Sequence, residues 1–320
     1  MDVFFYEAFE EEAKALGRHL PVGVKAGFAW QTPQEAGHTA PPAPLISVRT
    51  QSVIPAAWAP KLRGILTRST GYDHLARYRD TAGCPLPCGY LPLYCHRAVA
   101  EQALLLILAL LRKLPLQTEN FSRFHRDGMT GREAEKKRLL VLGVGNIGYE
   151  MVKLGKGLGM TVHGVDIVRR HPDVHYVTPE AGLPWADIIV CAMNLTPDNT
   201  GYFSYHTFKK TKPGLLFINV ARGELSPASD LLLLLREGHL SGAGLDVYNN
   251  ESELAVALRS GRASDDAEVR AVLELSKRAD VLCTPHNAFN TAESVERKAE
   301  QSLQSIHHFL RHGIFPWPVP

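Results

Sequence analysis

RLLVLGVGNIGYEMVKLGKGLGMTVHGVD, Arg138 to Asp166, decides the fold. Leu139 to Leu142 is a short apolar run of strand character, and it feeds directly into Gly143-x-Gly145-x-x-Gly148. A helix-forming segment follows, then a second strand-like run, Thr161 to Val165, that ends on Asp166. Strand, glycine turn, helix, strand and acid in this order make the dinucleotide fingerprint in its full context. Gly143 permits the tight turn, Gly145 lets the backbone approach a pyrophosphate, and Gly148 lets helix and strand pack closely. The phosphates would sit on amides at a helix N-terminus, where unpaired donors and the dipole favour an anion. Asp166 lies 18 positions beyond Gly148, near the roughly 20 expected of an acid that accepts from a ribose 2′-hydroxyl. A carboxylate there repels a 2′-phosphate, which favours NAD over NADP, while Arg169 and Arg170 work against that preference.

Outward from the fingerprint, strand-like and helical stretches keep alternating. Asp187–Met193, Gly214–Val220, Gly242–Val247 and Val281–Thr284 read as strands. Helical stretches lie around Ser204–Lys210, Ala228–Glu237 and Asp265–Ala279, and the whole is a doubly wound parallel sheet of α/β class. Upstream, Val3–Tyr6, Val24–Ala29, Leu45–Val48 and Gly64–Thr67 are candidate strands of another parallel sheet, with Glu7 to Leu20 a helix. Ala98 to Arg112 is a strong, almost wholly apolar helix that must be buried on most faces, between domains or between subunits. Asn290 to Gly313 reads as an amphipathic helix with Asn290 and Glu293 in capping-box spacing. The expected domains are residues 1–97, completed by the C-terminal segment 290–320, and residues 98–289.

At 320 residues two cores are expected, since single cores stop growing at about 250–300 residues. A formal net charge of +2 gives no electrostatic case for nucleic acid or an anionic membrane. Ala103 to Leu111, the most apolar run, is far short of the roughly 20 residues of a membrane helix. Five cysteines without framework spacing, behind an acidic N-terminus unlike a signal peptide, point to a reducing cytoplasm. Cys84, Cys88, Cys95 and His96 fit no paired zinc pattern, and His307, His308 and His312 read as solvated or dipole-complementing, so no metal is expected.

In open parallel sheets ligands bind outside the carboxyl ends of the strands. Three reactive side chains follow those ends on the rim of the glycine loop: Arg222 after FINVA, Glu251 five residues beyond Asp246, and His286 after VLCTP. Reducing a 2-keto acid needs a hydride donor, a proton donor to the carbonyl oxygen and a cation for the carboxylate. Arg222 offers a planar fork that can bind a carboxylate and polarise a carbonyl. His286 is the natural acid/base near neutral pH, and Glu251 would pair with it and orient the ring. Asp246 would accept from a nicotinamide amide or tune the local field. Singly, Arg222 also fits a loop cation, Glu251 a part of the acidic loop NNESE, and His286 a satisfied histidine after a proline turn. In the first sheet, Arg68-Ser-Thr-Gly-Tyr-Asp73 follows the fourth strand, either to present amides to an anion or simply to turn.

Together these pieces resemble the D-isomer-specific 2-hydroxyacid dehydrogenases, most closely the D-lactate dehydrogenase-like branch. The matching motifs are TRSTGYDH (Thr67–His74), YCHRAVAEQALLLILALLR (Tyr94–Arg112), TGRE (Thr130–Glu133), LGVGNIG, NVARGE (Asn219–Glu224), GAGLDVY (Gly242–Tyr248) and TPHNAFNT (Thr284–Thr291). The resemblance implies a flavodoxin-like substrate domain and a Rossmann NAD-binding domain, commonly in a homodimer. It implies Arg222, Glu251 and His286 as the catalytic set. It also implies a substrate carboxylate bound at Thr70 and Gly71, with Tyr94 approaching the substrate. The implied cofactor contacts are Gly143, Gly145, Asn146, Ile147, Gly148, Asp166, Asn194, Val220, Ala221 and Asp246. Asn249 and Asn250 stand where the family usually has acidic residues, and Asn194 where many members have proline. The expected activity is NAD-dependent interconversion of a small 2-keto acid and its D-2-hydroxy acid. Two alternatives stay open on residues alone: oxidation of another small oxyanion of phosphite or formate type, and an NAD(H)-sensing corepressor-like binding protein.

Overall fold

The computed structural model describes residues 1–261 and 263–320. The chain forms two compact units, Met1–Cys95 with Asn290–Pro320, and His96–Phe289. The first crossing falls two residues before the expected one, because the long apolar helix already begins at His96.

The first unit holds a parallel sheet of five strands: β1 (Val3–Phe5), β2 (Ala26–Phe28), β3 (Leu45–Val48), β4 (Gly64–Thr67) and β5 (Cys88–Gly89). Their order is β2-β1-β3-β4-β5, so the winding direction reverses between β1 and β3. β3 and β4 are buried at every position, as expected of strands covered on both faces, and their two hydroxyls, on Ser47 and Thr67, bond to Leu66 O and Ser69 Oγ. Helix Glu10–His19 packs on the C-terminal helix Ala292–His312. The latter buries Val295, Ala299, Leu303, Ile306 and Phe309, a stripe at helical spacing. Its cap differs from the expected one. Thr291, not Asn290, is the N-cap, and its hydroxyl accepts from Ser294 N at 3.2 Å. At the other end the rings of His308 and His312 stack 4.4 Å apart.

Inside this unit lies a cluster of three fully buried charged side chains. Arg68, the residue after β4, donates through Nε to Glu12 at 2.8 Å, through one terminal nitrogen to Ser47 Oγ, and through the other to Tyr6 O at 2.6 Å. Lys298 Nζ lies 2.7 Å from the same Glu12 oxygen. Burial alone would push the Glu12 carboxyl up, but Arg68 and Lys298 outweigh it and hold it at about 2. Burial, joined by Arg49 and Arg68, pulls the Lys298 ammonium down to about 7 against the opposing pull of Glu12.

The second unit holds a seven-stranded sheet: β6 (Arg138–Leu142), β7 (Thr161–Val165), β8 (His175–Tyr176), β9 (Ile188–Cys191), β10 (Leu215–Asn219), β11 (Leu240–Leu245) and β12 (Val281–Cys283). The order is β12-β11-β10-β9-β6-β7-β8, every pair parallel, with the reversal between β6 and β9. Helix Ala228–Arg236 buries Leu231, Leu232, Leu234 and Leu235, while Leu233 is 44% exposed. Each buried leucine contributes about 1.5–3 kcal/mol. Helix His96–Leu111 packs on β10, β11, β12 and the helix Asn146–Gly157, all within this unit, and leaves Leu105 54% exposed. Among the described residues no helix is long and apolar enough to cross a membrane.

Glu12→Gln leaves two buried cations without their acid and should cost about 3–5 kcal/mol in urea unfolding. The Glu12 carboxyl falls from an ordinary 4.5 to about 2 on folding, so its contribution is complete above about pH 4.5 and is lost as pH drops towards 2. Melting curves from pH 6 to pH 3 should therefore fall more steeply for the unmodified protein than for Glu12→Gln. Parallel curves would show that the cluster is not the acid-sensitive element.

Candidate active site

The glycine loop connects β6 to helix Asn146–Gly157 at the point where strand order reverses, where a ligand crevice is expected. Gly143 has φ +87°, and a Cβ there would come within 2.6 Å of the Ala192 backbone. A Cβ on Gly148 would lie 1.9 Å from Gly143 O, so only glycine allows this helix so near the strand. Gly145 has no neighbour within 4 Å of a hypothetical Cβ, and it starts the helix without a side-chain cap. Open backbone beside uncapped helix amides fits a pyrophosphate. Asp166, just past β7, accepts from Val144 N at 2.6 Å and from Val168 N at 2.9 Å, which ties it to the loop. Asn146 and Ile147 open the helix, Val220 N donates to Cys191 O, and Asn194 O accepts from Asn199 Nδ2 at 2.8 Å.

Arg222, Glu251 and His286 follow β10, β11 and β12, which are neighbours in the sheet. Asn219, the last residue of β10, accepts from Ala221 N and donates to Arg222 O and Ser226 Oγ, which curls the backbone around it. One Arg222 terminal nitrogen donates to Ala221 O at 2.8 Å. Gly223 is obligatory, since a Cβ there would fall 1.9 Å from the carbonyl carbon of Tyr248. Glu251 opens helix Glu251–Ser260, and its two oxygens lie 2.9 and 2.8 Å from His286 Nδ1. With its proton on Nδ1, donated to this carboxylate, the ring keeps Nε2 for proton exchange.

Asp246 has a role that sequence reasoning did not reach. It is buried, and its Oδ1 accepts from Thr284 Oγ1 at 2.5 Å and Asn287 N at 2.9 Å, while Oδ2 accepts from Ala288 N at 2.9 Å. Burial raises its carboxyl above the ordinary value, opposed by these donors and by His286. These bonds clamp the turn in which His286 holds φ +49°. A left-handed histidine is strained backbone, and the clamp holds it there.

In the first unit, Thr70 Oγ1 donates to Leu91 O, and Gly71 O accepts from Ser69 Oγ. Tyr94 is 4% exposed, and its carbonyl accepts from Arg297 Nε at 2.9 Å and from Ser294 Oγ. Burial holds its phenol well above the ordinary value. The five cysteines form no disulfide. Among the described residues, the His, Cys, Asp or Glu groups close enough to share a cation are His19, Glu296 and Glu300 in the first unit.

Residues 104–288 match the family model of the D-isomer-specific 2-hydroxyacid dehydrogenase NAD-binding domain. The chain belongs to that family. As a member it is an NAD-dependent oxidoreductase acting between 2-keto acids and D-2-hydroxy acids. Its relatives include a D-lactate dehydrogenase of Streptococcus agalactiae, 32% identical over 70% of this chain and 69% of that one. Among solved structures, D-lactate dehydrogenase from Aquifex aeolicus complexed with NAD and lactic acid superposes with a TM-score of 0.83, at 26% identity, over 98% of this chain and 96% of that one. D-2-hydroxyisocaproate dehydrogenase superposes with a TM-score of 0.82, at 25% identity, over 100% and 99% of the two chains. This 2-hydroxyacid dehydrogenase is thus D-lactate dehydrogenase-like, and neither oxyanion oxidation nor a corepressor-like role draws support from these relatives.

Asp246→Ala should lower the melting temperature and reduce kcat far more than it weakens NADH binding, because the clamp serves the His286 turn. Equal losses in both, or none in kcat, would remove the clamp from the catalytic apparatus.

Proposed function

We propose that Arg222, Glu251 and His286 are the catalytic set of a reversible D-2-hydroxyacid dehydrogenase acting on a small 2-keto acid. The observation that carries this reading is the Nδ1 contact of His286 with both oxygens of Glu251. It fixes ring orientation and tautomer, so Nε2 gives its proton to the carbonyl oxygen during reduction and takes it back during oxidation. The Arg222 fork holds the substrate carboxylate and polarises the carbonyl, which a point charge does less well. In the first unit, the backbone amides at Thr70 and Gly71 and the side chain of Tyr94 are the residues that the family resemblance assigns to substrate. When bound, the nicotinamide exchanges a hydride with the substrate carbon. Gly143, Gly145, Asn146, Ile147 and Gly148 carry the pyrophosphate, and Asp166 accepts from the adenosine ribose. Asn194, Val220 and Ala221 complete the cofactor surround, and Asp246 acts from beneath the His286 turn. The Asp166 carboxylate supports NAD over NADP.

The working form is a homodimer in the cytoplasm. Leu105, Leu114, Phe121 and Phe124, 47–77% exposed and close in sequence, support a partner surface on the second unit. Five cysteines without a disulfide support a reducing compartment.

His286→Ala should abolish NADH oxidation at 340 nm with every 2-keto acid, while fluorescence titration still registers NADH; unimpaired turnover would falsify its role. Arg222→Lys should lower kcat/KM by about 10–100-fold, the loss expected when a bidentate charged contact is broken. A kcat/KM favouring NADPH would sink the cofactor assignment. For the dimer, light scattering should give twice the chain mass and Phe121→Glu with Phe124→Glu a single chain; a monomeric parent would end that reading.

A further inference from the structure

The C-terminal helix Ala292–His312 joins the first unit from the far end of the chain and packs on helix Glu10–His19. At the last turn of the shorter helix, three acceptor side chains converge. His19 Nε2 lies 2.5 Å from Glu296 Oε1, and Arg18 donates to the other Glu296 oxygen at 2.6 Å. Glu300 stands one turn beyond Glu296 on the same face, and its carboxylate has no ion pair or hydrogen bond among the described residues. One ligand atom from each of His19, Glu296 and Glu300 lies within 4.8 Å of the other two.

An ordinary surface ion pair accounts for part of this arrangement, since basic residues such as Arg18 and His19 suit the last turn of a helix. It does not account for Glu300, which repels Glu296 across one helical turn. Nor does it account for the imidazoles beyond. His19 and Glu300 line a groove of about 550 Å³ whose wall continues with His307, His308 and His312. One imidazole with two carboxylates is a ligand set for zinc and its neighbours in the first transition row, whereas magnesium and calcium are held by oxygen ligands. The backbones that carry these ligands are fixed by packing, with Ala15 and Leu16 buried on one helix and Val295 and Ala299 on the other. The side-chain tips are partly exposed and can close on an ion. His19 and Glu296 are 277 positions apart, so no spacing in the sequence nominates them.

We propose that His19, Glu296 and Glu300 bind one divalent transition cation of the zinc class, which fastens the end of helix Glu10–His19 to the C-terminal helix. The cation takes the place of the proton shared by His19 Nε2 and Glu296 Oε1, and water completes its coordination. It gives the chain's two ends a direct link that the unfolded chain lacks, so binding stabilises the first unit. No residue of the proposed dehydrogenase chemistry takes part, and the site stands or falls apart from it.

The test is calorimetric titration of the metal-free full chain with zinc chloride, with magnesium chloride as the hard-cation comparison. Glu300→Gln and His19→Gln should each weaken zinc binding by at least about tenfold, since even the partners behind a metal ligand carry about 10–100-fold. His308→Ala combined with His312→Ala should leave the affinity unchanged. Zinc taken up by cysteines or by His286 persists in Glu300→Gln, so the difference between the two titrations isolates the site. Glu300 is exposed, and Glu300→Gln should keep both its fold and its rate of NADH oxidation. Zinc should also raise the melting temperature of the unmodified protein by several degrees, and that of Glu300→Gln by less. Zinc binding that ignores Glu300 and His19, or that is lost only with His308 and His312, overturns the proposal. So does the absence of zinc binding, or magnesium bound as tightly as zinc.

Discussion

Parallel pairing governs everything else in both units. When every strand of a sheet runs the same way, all the carboxyl ends share one edge, and the residues just past them are pooled there whatever their distance in sequence. β10, β11 and β12 are adjacent, so Arg222, Glu251 and His286 are delivered to one rim by the sheet before any side chain is chosen. The glycine loop reaches the same rim from β6, and in the first unit Arg49 and the Thr70–Gly71 turn leave β3 and β4 in the same way. The cost is that each crossover must return over a face of the sheet. That demands strands buried on both sides, which is why β3, β4, β9 and β10 carry no exposed residue.

Two buried carboxylates do opposite jobs in this setting. Glu12 lies between Arg68 and Lys298, where cations outweigh desolvation and the acid stays charged. Asp246 is held mainly by neutral donors, Thr284 Oγ1 and two backbone amides, and there burial wins and the carboxyl rises. The first neutralises charge within a core. The second converts hydrogen bonds into backbone geometry, by fixing a turn whose histidine would relax from φ +49° if left alone.

The sequence made local features legible and left tertiary ones hidden. β3 and β4 have the bounds expected from the short, mainly apolar stretches LISV and GILT, and the glycine spacing located helix Asn146–Gly157. β5 and β8 went unseen because two residues carry no periodicity. Helix Glu251–Ser260 was hidden by the acidic stretch NNESE, which reads as loop until Leu254 and Ala257 are seen to be buried. The C-terminal cap moved by one residue because Asn290 and Thr291 are both competent caps and only the approach of Ser294 N selects between them. At the site, Arg222, Glu251 and His286 could be nominated by residue type and strand-end position. The Asp246 clamp could not, since it depends on three donors from a segment about forty residues away. Nor could the meeting of Glu12 with Lys298, which lie near opposite ends of the chain.

The clamp also gives the catalytic turn a reporter independent of chemistry. The amides of Asn287 and Ala288 donate to a buried carboxylate and not to a neighbouring strand. Their exchange with solvent deuterium is therefore set by the local opening of this one turn, not by the fraying of β12. Protection at those two positions measures how much of the time His286 is held in its strained conformation, in a protein that has met neither cofactor nor substrate.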